Sequence, residues 1–153
     1  MPGIGKRTSE IILAEIGQDM SRFPTAGHIS SWSGVCPGNN ESAGKKKSVH
    51  ISRAGIYLKP LLIQCANNAI RDKSCEYFKL RYEAIKKRRG HKRAIIAIAR
   101  MLLTCIYNML SKNEPFNHEI YEQLTNTNFK SKNTKLNINN AIKFLEAQGY
   151  KVS

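Results

Sequence analysis

Ser42 stands among small residues that run into three lysines: Pro37-Gly38-Asn39-Asn40-Glu41-Ser42-Ala43-Gly44-Lys45-Lys46-Lys47. Phosphate chemistry uses that combination. A hydroxyl serves as nucleophile, a flexible backbone lets it approach the scissile phosphate, and cations hold the charge that develops there. A solvated surface loop with a lysine run accounts for the same composition, and no His or Asp lies close in sequence to activate Ser42. The stretch is not a nucleotide-binding P-loop, because the G-x-x-x-x-G-K-[ST] spacing fails.

Two other stretches have the chemistry of phosphate binding. Lys86-Lys87-Arg88-Arg89-Gly90-His91-Lys92-Arg93 packs six basic residues into eight positions. Like charges at that density repel unless a polyanion screens them, so contact to a nucleic-acid backbone explains the run better than a solubilising turn. At the N-terminus, Pro2-Gly3-Ile4-Gly5 leads straight into a helical pattern. A Gly-rich turn of this kind exposes backbone N–H groups at the positive end of a helix, where a phosphate is well seated. Gly3 and Gly5 are therefore backbone-binding candidates, in a turn resembling the hairpin of helix-hairpin-helix DNA-binding motifs. A plain N-terminal turn is the simpler alternative for four residues.

The whole composition agrees with a polyanionic partner. The chain has 153 residues, 25 Lys+Arg against 11 Asp+Glu, and a net charge of +14. That charge points first to nucleic acid and only second to an anionic membrane surface. Residues 1–30 are net neutral, 31–60 carry +4, 61–116 carry +8 and 117–153 carry +2. The binding charge is thus concentrated between Lys45 and Arg100.

Other classes are disfavoured. The N-terminus has no apolar run of signal-peptide length. The apolar stretch at residues 94–110 is interrupted by Arg100 and Asn108, shorter than the roughly 20 residues of a membrane span, and reads as a buried helix. Basic residues clustered at a turn do not suit a membrane-surface helix. Cys36, Cys65, Cys75 and Cys105 are widely spaced, with no C-x-x-C pair, as expected of reduced thiols in a cytoplasmic protein. The scattered histidines offer no metal site. The six tyrosines do not form an Arg…His-x-x-Arg…Tyr recombinase constellation.

The elements that must position these residues read as helices throughout. Thr8 or Ser9 is placed to cap a helix to Ile16, with Ile12, Leu13 and Ile16 on one stripe and Gly17 as its stop. Pro24-Thr25 opens a short helix carrying Ile29 and Trp32, which Gly34 ends. Residues 34–50 read as a loop. Ser52 is the expected cap of a long helix to Ile70, with Leu58, Leu61, Leu62, Cys65 and Ala69 inward. A helix from Ser74 to Arg88 turns Phe78, Tyr82 and Ile85 inward, where core packing explains them better than base stacking. Gly90 breaks it, and another helix begins near Lys92, with Ile95, Ile98, Ala99, Leu102, Ile106 and Met109 as its inner stripe. No period-2 strand or internal repeat is visible. The fold expected is all-α: a compact helical domain over residues 1–116, with a helix-hairpin-helix-like element at its start. Residues 117–153, with seven of the thirteen asparagines, form a partly helical appendage: a helix over 119–124, a polar linker and a helix over 139–148.

In order, the pieces resemble a known family. They are Pro-Gly-Ile-Gly, Glu15-Ile16-Gly17, Phe23-Pro24-Thr25, Trp32-Ser33-Gly34-Val35-Cys36-Pro37-Gly38, Ser42-Ala43-Gly44-Lys45-Lys46-Lys47, Ile51-Ser52-Arg53-Ala54-Gly55 and Arg89-Gly90-His91-Lys92-Arg93-Ala94. The series is similar to the C-terminal transposase domain of bacterial DEDD insertion-sequence transposases, relatives of the Piv-type DNA invertases, from Pro2 to about Leu110. The resemblance implies Ser42 as the catalytic nucleophile that forms a covalent phosphoserine link to DNA, although Ala43 stands where the family prefers glycine. It implies Arg53 as a phosphate clamp and Lys45, Lys46 and Lys47 along a DNA or guide-RNA backbone. It further implies a homo-oligomer, and a preceding RuvC-like domain whose acidic residues bind a divalent metal, Mg. No metal or other cofactor is expected in this chain itself. No such domain fits before Pro2, so the expectation is a fragment or truncated reading frame that is inactive in recombination alone. The competing expectation is a non-catalytic nucleic-acid-binding module built on the N-terminal turn and on Lys86, Lys87, Arg88, Arg89, Lys92 and Arg93.

Overall fold

A computed structural model describes residues 1–37, 40–42, 45–48, 51, 53–127, 140–143, 145 and 146. The chain divides into two units, Met1–Phe116 and Asn117–Ser153. The fold is essentially all-α, with one small β-hairpin. In the first unit, α1 (Lys6–Ile16) is followed by a 3-10 turn (Met20–Arg22), α2 (Ala26–Trp32), and the strands β1 (Asn40–Ser42) and β2 (Lys45–Ser48). Then come α3 (Leu58–Ala69), α4 (Glu76–Arg89) and α5 (His91–Lys112).

The core is organised around α5. Ala94, Ile95, Ile98, Ala99, Leu102, Leu103, Cys105 and Ile106 are buried at i, i+3, i+4 and i+7 spacings, which gives a broad apolar stripe. That stripe packs against α2, α3, α4 and the 3-10 turn, while α1 packs on α3. With 22 residues, α5 is longer than the apolar stretch read from sequence, and its length and hydropathy would suffice to cross a membrane. One face of it, from Ala94 to Ile106, is buried inside the domain, Ile96, Met101 and Met109 are half-buried, and Arg100 is exposed. Phe78 from α4, Leu62 from α3 and Ile29 from α2 complete the fully buried centre. From the middle of α5, Tyr107 donates its hydroxyl to the Phe23 carbonyl at 3.0 Å, pinning the Phe23-Pro24-Thr25 corner to the core.

Several boundaries differ from those expected, each for a local reason. α1 starts at Lys6 on a Gly5 cap, and the Ser9 hydroxyl donates to the Lys6 carbonyl from inside the helix instead of capping it. α3 starts at Leu58, not in the low fifties. Pro60 lacks an N–H and fits only a first turn, so a start several residues earlier would have put it in a helix interior. Ser52, the expected cap, lies outside the described residues. The segment 34–50, expected to be a loop, contains the antiparallel pair β1–β2. Of the two large residues expected on α2, Ile29 is buried, whereas Trp32 is 44% exposed and leans on Phe23 with ring centroids 5.6 Å apart.

The second unit contains α6 (His118–Thr125), capped by the Asn117 carboxamide, which accepts from Glu119 N at 2.9 Å. Residues 140–143, 145 and 146 are helical; the rest of the helix expected over 139–148 lies outside the described residues.

Candidate nucleic-acid interface

The hairpin that carries Ser42 is an excursion from the helical core, and its two roots are pinched together. Gly34, just beyond α2, has φ +68° and Gly55, just before α3, has φ +67°. A Cβ on Gly34 would fall on the Ala54 carbonyl oxygen, and one on Gly55 would fall on the Ser33 carbonyl oxygen. Only glycine permits both that left-handed conformation and that backbone-to-backbone approach. The neighbours of this clasp are locked. Val35 is fully buried, and the buried Ser33 hydroxyl donates to the Ser30 carbonyl at 3.1 Å. Ser30 donates in turn to the Ala26 carbonyl at 2.7 Å.

Beyond the clasp, Pro37 and Ile51 form an isolated antiparallel bridge, and farther along lies the β1–β2 pair. Its register opposes Ser42 to Lys45, Glu41 to Lys46 and Asn40 to Ser48. The shift between Asn40 and Glu41 makes Lys47 the extra residue of a bulge. The hairpin therefore brings Ser42 and the three lysines into one two-stranded unit. Arg53 follows the second strand and is exposed immediately before Ala54-Gly55.

The basic run occupies the α4–α5 junction. Gly90 joins the helices at φ +80° and ψ 168°, a region essentially reserved for glycine. A buried phenol braces the junction: the Tyr82 hydroxyl lies 2.8 Å from His91 Nδ1, and Lys86 Nζ sits 5.6 Å from the centre of the Tyr82 ring. Lys86, Lys87, Arg88 and Arg89 end α4, where cations complement the negative end of the helix dipole. Lys92 and Arg93 are in the first turn of α5, which has no acidic residue, and oppose its dipole there. All six are exposed, and no described carboxylate pairs with them. Charge held against its own helix end, without an internal partner, suits an external anion.

At the N-terminus the two glycines play different parts. Gly3, at φ +71°, is pressed onto α3, where a Cβ would meet the Cys65 carbonyl oxygen and come within 2.5 Å of Ala69 N. Its N–H points to the Asp72 carboxylate at 3.4 Å, and Ser74 N donates to the same carboxylate at 2.9 Å. Gly5 is exposed and caps α1, with open space where a Cβ would be.

Ser42 and Lys45–47 are thus united by the hairpin and Arg53 adjoins its root, while Lys86–89, Lys92 and Arg93 form a separate junction. The Gly34–Gly55 clasp, the Tyr82–His91 contact and the role of Asp72 were not read from the sequence. For the clasp a signal existed: Ser-Gly and Ala-Gly pairs bracket the polar insertion. The metal that the resemblance implies finds no seat among the described residues, where no three His, Cys, Asp or Glu side chains cluster.

Residues 1–83 match the model of a family described as Transposase IS116/IS110/IS902 family. The pilin gene-inverting protein of Moraxella bovis is 32% identical over 130 residues, covering 80% of this chain and 38% of that protein. Its counterpart in Moraxella lacunata gives the same identity and coverage. The transposase for insertion sequence element IS1111A of Coxiella burnetii is 29% identical over 123 residues, covering 76% of this chain and 32% of that protein. The chain thus spans 38% or less of the length of these relatives. No solved structure matches it.

Proposed function

The chain belongs to the IS116/IS110/IS902 transposase family, and on that premise we propose that it is a DNA-binding and strand-transfer domain of a site-specific recombinase. Ser42 is its nucleophile. The observation that carries this reading is the hairpin register on a glycine-clamped base, which opposes Ser42 to Lys45, with Lys46 and Lys47 following on the same strand. The names of the relatives, a gene-inverting protein and a transposase, support DNA rearrangement as the setting.

In the proposed step the Ser42 oxygen attacks a DNA phosphorus. One bridging P–O bond breaks, and a phosphoserine bond of similar energy replaces it. The serine gives up its proton and the departing deoxyribose oxygen gains one. Because the phosphodiester is exchanged and not hydrolysed, resealing is the reverse attack by a deoxyribose hydroxyl on the phosphoserine. Cations near the phosphate stabilise the five-coordinate transition state, which holds more charge than the diester. Lys45, Lys46, Lys47 and Arg53 are assigned that task. Lys86, Lys87, Arg88, Arg89, Lys92, Arg93 and the Gly5 end of α1 hold the backbone of DNA, or of a guide RNA, further away, and Gly3 fastens its turn to α3. A divalent metal belongs to a RuvC-like domain in this reading, with subunits of a homo-oligomer sharing the DNA.

The reading is tested in a full-length protein that carries this segment. Ser42→Ala should abolish strand exchange and leave DNA affinity within about twofold, since a neutral hydroxyl contributes little to charge-dominated binding. Strand exchange that survives the substitution would remove Ser42 from the mechanism.

A further inference from the structure

Next to the clasp stands a side chain that neither the core nor the proposed phosphate contacts use. Tyr57 is 78% exposed and Ile56, beside it, is 75% exposed. The other tyrosines of Met1–Phe116 are all occupied. Tyr82 meets His91, Tyr107 donates to Phe23, and Tyr77 packs edge-on against Phe78 at 5.7 Å. Tyr57 makes no ring contact and no hydrogen bond with a described residue. Its backbone is held, because it lies two residues after Gly55, which is pressed on Ser33, and it occupies the N-cap position of α3. Its neighbours along the chain are cationic. Arg53 precedes it by four residues and is exposed, Lys59 follows by two, and the lysine hairpin ends in the same connection.

An exposed aromatic ring on a fixed stretch of backbone, with cations close by in the chain, suits unpaired bases: the ring stacks on the base and cations hold the phosphates. We propose that Tyr57, with Ile56 as its apolar neighbour, is a stacking platform for a DNA base unpaired beside the strand that Ser42 attacks. The inference rests on the nucleic-acid reading above and adds to it a preference for opened DNA. A paired duplex hides its base faces, so the ring gains little there. Stacking is indifferent to base identity, so the preference is for unpaired structure and not for sequence.

The experiment compares a fully paired duplex with one of equal length and charge carrying a two-base bulge that contains 2-aminopurine. The wild-type chain should bind the bulged duplex about tenfold more tightly and change the 2-aminopurine fluorescence on binding, in line with the usual effect of one base–aromatic stack. Tyr57→Phe should keep both effects. Tyr57→Ala should lose both while binding paired duplex as the wild type does. An unaltered preference in Tyr57→Ala overturns the inference, and so does its loss in Tyr57→Phe, which would give the role to the hydroxyl. A tighter complex with a bulged RNA of the same sequence overturns the assignment to DNA. A dimer that disappears on Tyr57→Ala would give the surface to a second copy of the chain. Failure of the wild type to bind either duplex would remove the nucleic-acid reading itself, whereas equal binding to both would remove only the stacking platform.

Discussion

Gly34 and Gly55 lie back to back: each is pressed against the carbonyl of the residue preceding the other, and each has a positive φ. The backbone entering and the backbone leaving residues 35–54 therefore meet at one fixed point. A nucleophile on a free loop would sample many positions. A nucleophile on a hairpin with clamped roots begins near one, and that reduces the entropic part of the barrier.

The clasp can be tested by its energetics. Gly17 also has a positive φ, 76°, but nothing lies within 4 Å of where its Cβ would be. Gly17→Ala therefore isolates the conformational cost and should destabilise by about 1–3 kcal/mol. Gly34→Ala and Gly55→Ala add a collision with backbone and should cost about 4 kcal/mol or more. Urea unfolding of the three variants gives the comparison; equal losses would show that the close approach is unimportant.

The basic junction predicts that stability and binding can move in opposite directions. Replacing Lys92 and Arg93 with Glu puts acidic residues at the positive end of α5 and lowers the local repulsion, so the fold should gain about 0.5–2 kcal/mol. DNA affinity should nevertheless fall on every sequence, and the salt dependence should flatten by about one unit of slope for each phosphate no longer neutralised. Charge reversal at Arg88 and Arg89 should weaken DNA binding equally but leave stability nearly unchanged, because the weaker interaction with the helix dipole offsets the relief of repulsion. Titrations at several salt concentrations, paired with thermal unfolding, separate the two effects.

Tyr82→Phe removes the hydroxyl that meets His91 at 2.8 Å and keeps the ring that fills the space beneath the junction. A destabilisation of about 0.5–1 kcal/mol is expected, since exposed His91 then bonds to water. Hydrogen exchange at Gly90 and Ala94 should accelerate, as both amides close the junction through Lys86 and Gly90 carbonyls. Unchanged exchange would mean that Gly90 alone fixes the turn.

The four thiols are free, and only Cys36 is not buried. Burial pushes the Cys65 thiol above its ordinary pKa, so it has less reactive thiolate at a given pH. Cys36 should alkylate first, and the other three only as the protein unfolds. Because Cys36 lies between the clasp and the hairpin, bound DNA should slow its labelling.

The helices are legible wherever periodicity and punctuation agree. Gly90 separates α4 from α5, and the stripe from Ile95 to Ile106 is buried as its spacing requires. The start of α3 is less legible because Ser52 looks like a cap, although Pro60 already limits how early the helix begins. The hairpin is hidden because Asn40–Ser42 and Lys45–Ser48 are too short and too polar to show alternation. The clasp at its base joins residues 21 positions apart; the Ser-Gly and Ala-Gly pairs mark its two halves, but nothing local says that they meet. Gly3 is legible as a special residue but not as one pressed onto the core, because its contact is with α3, some sixty residues away.

The most direct measurement is recovery of the covalent intermediate. A full-length protein carrying this segment is incubated with its DNA substrate, digested with protease and nuclease, and its peptides are mapped by mass spectrometry. Attack by Ser42 predicts a nucleotide adduct on the peptide containing Ser42, absent from the Ser42→Ala variant. An adduct on any other residue, or one that persists in Ser42→Ala, would contradict it.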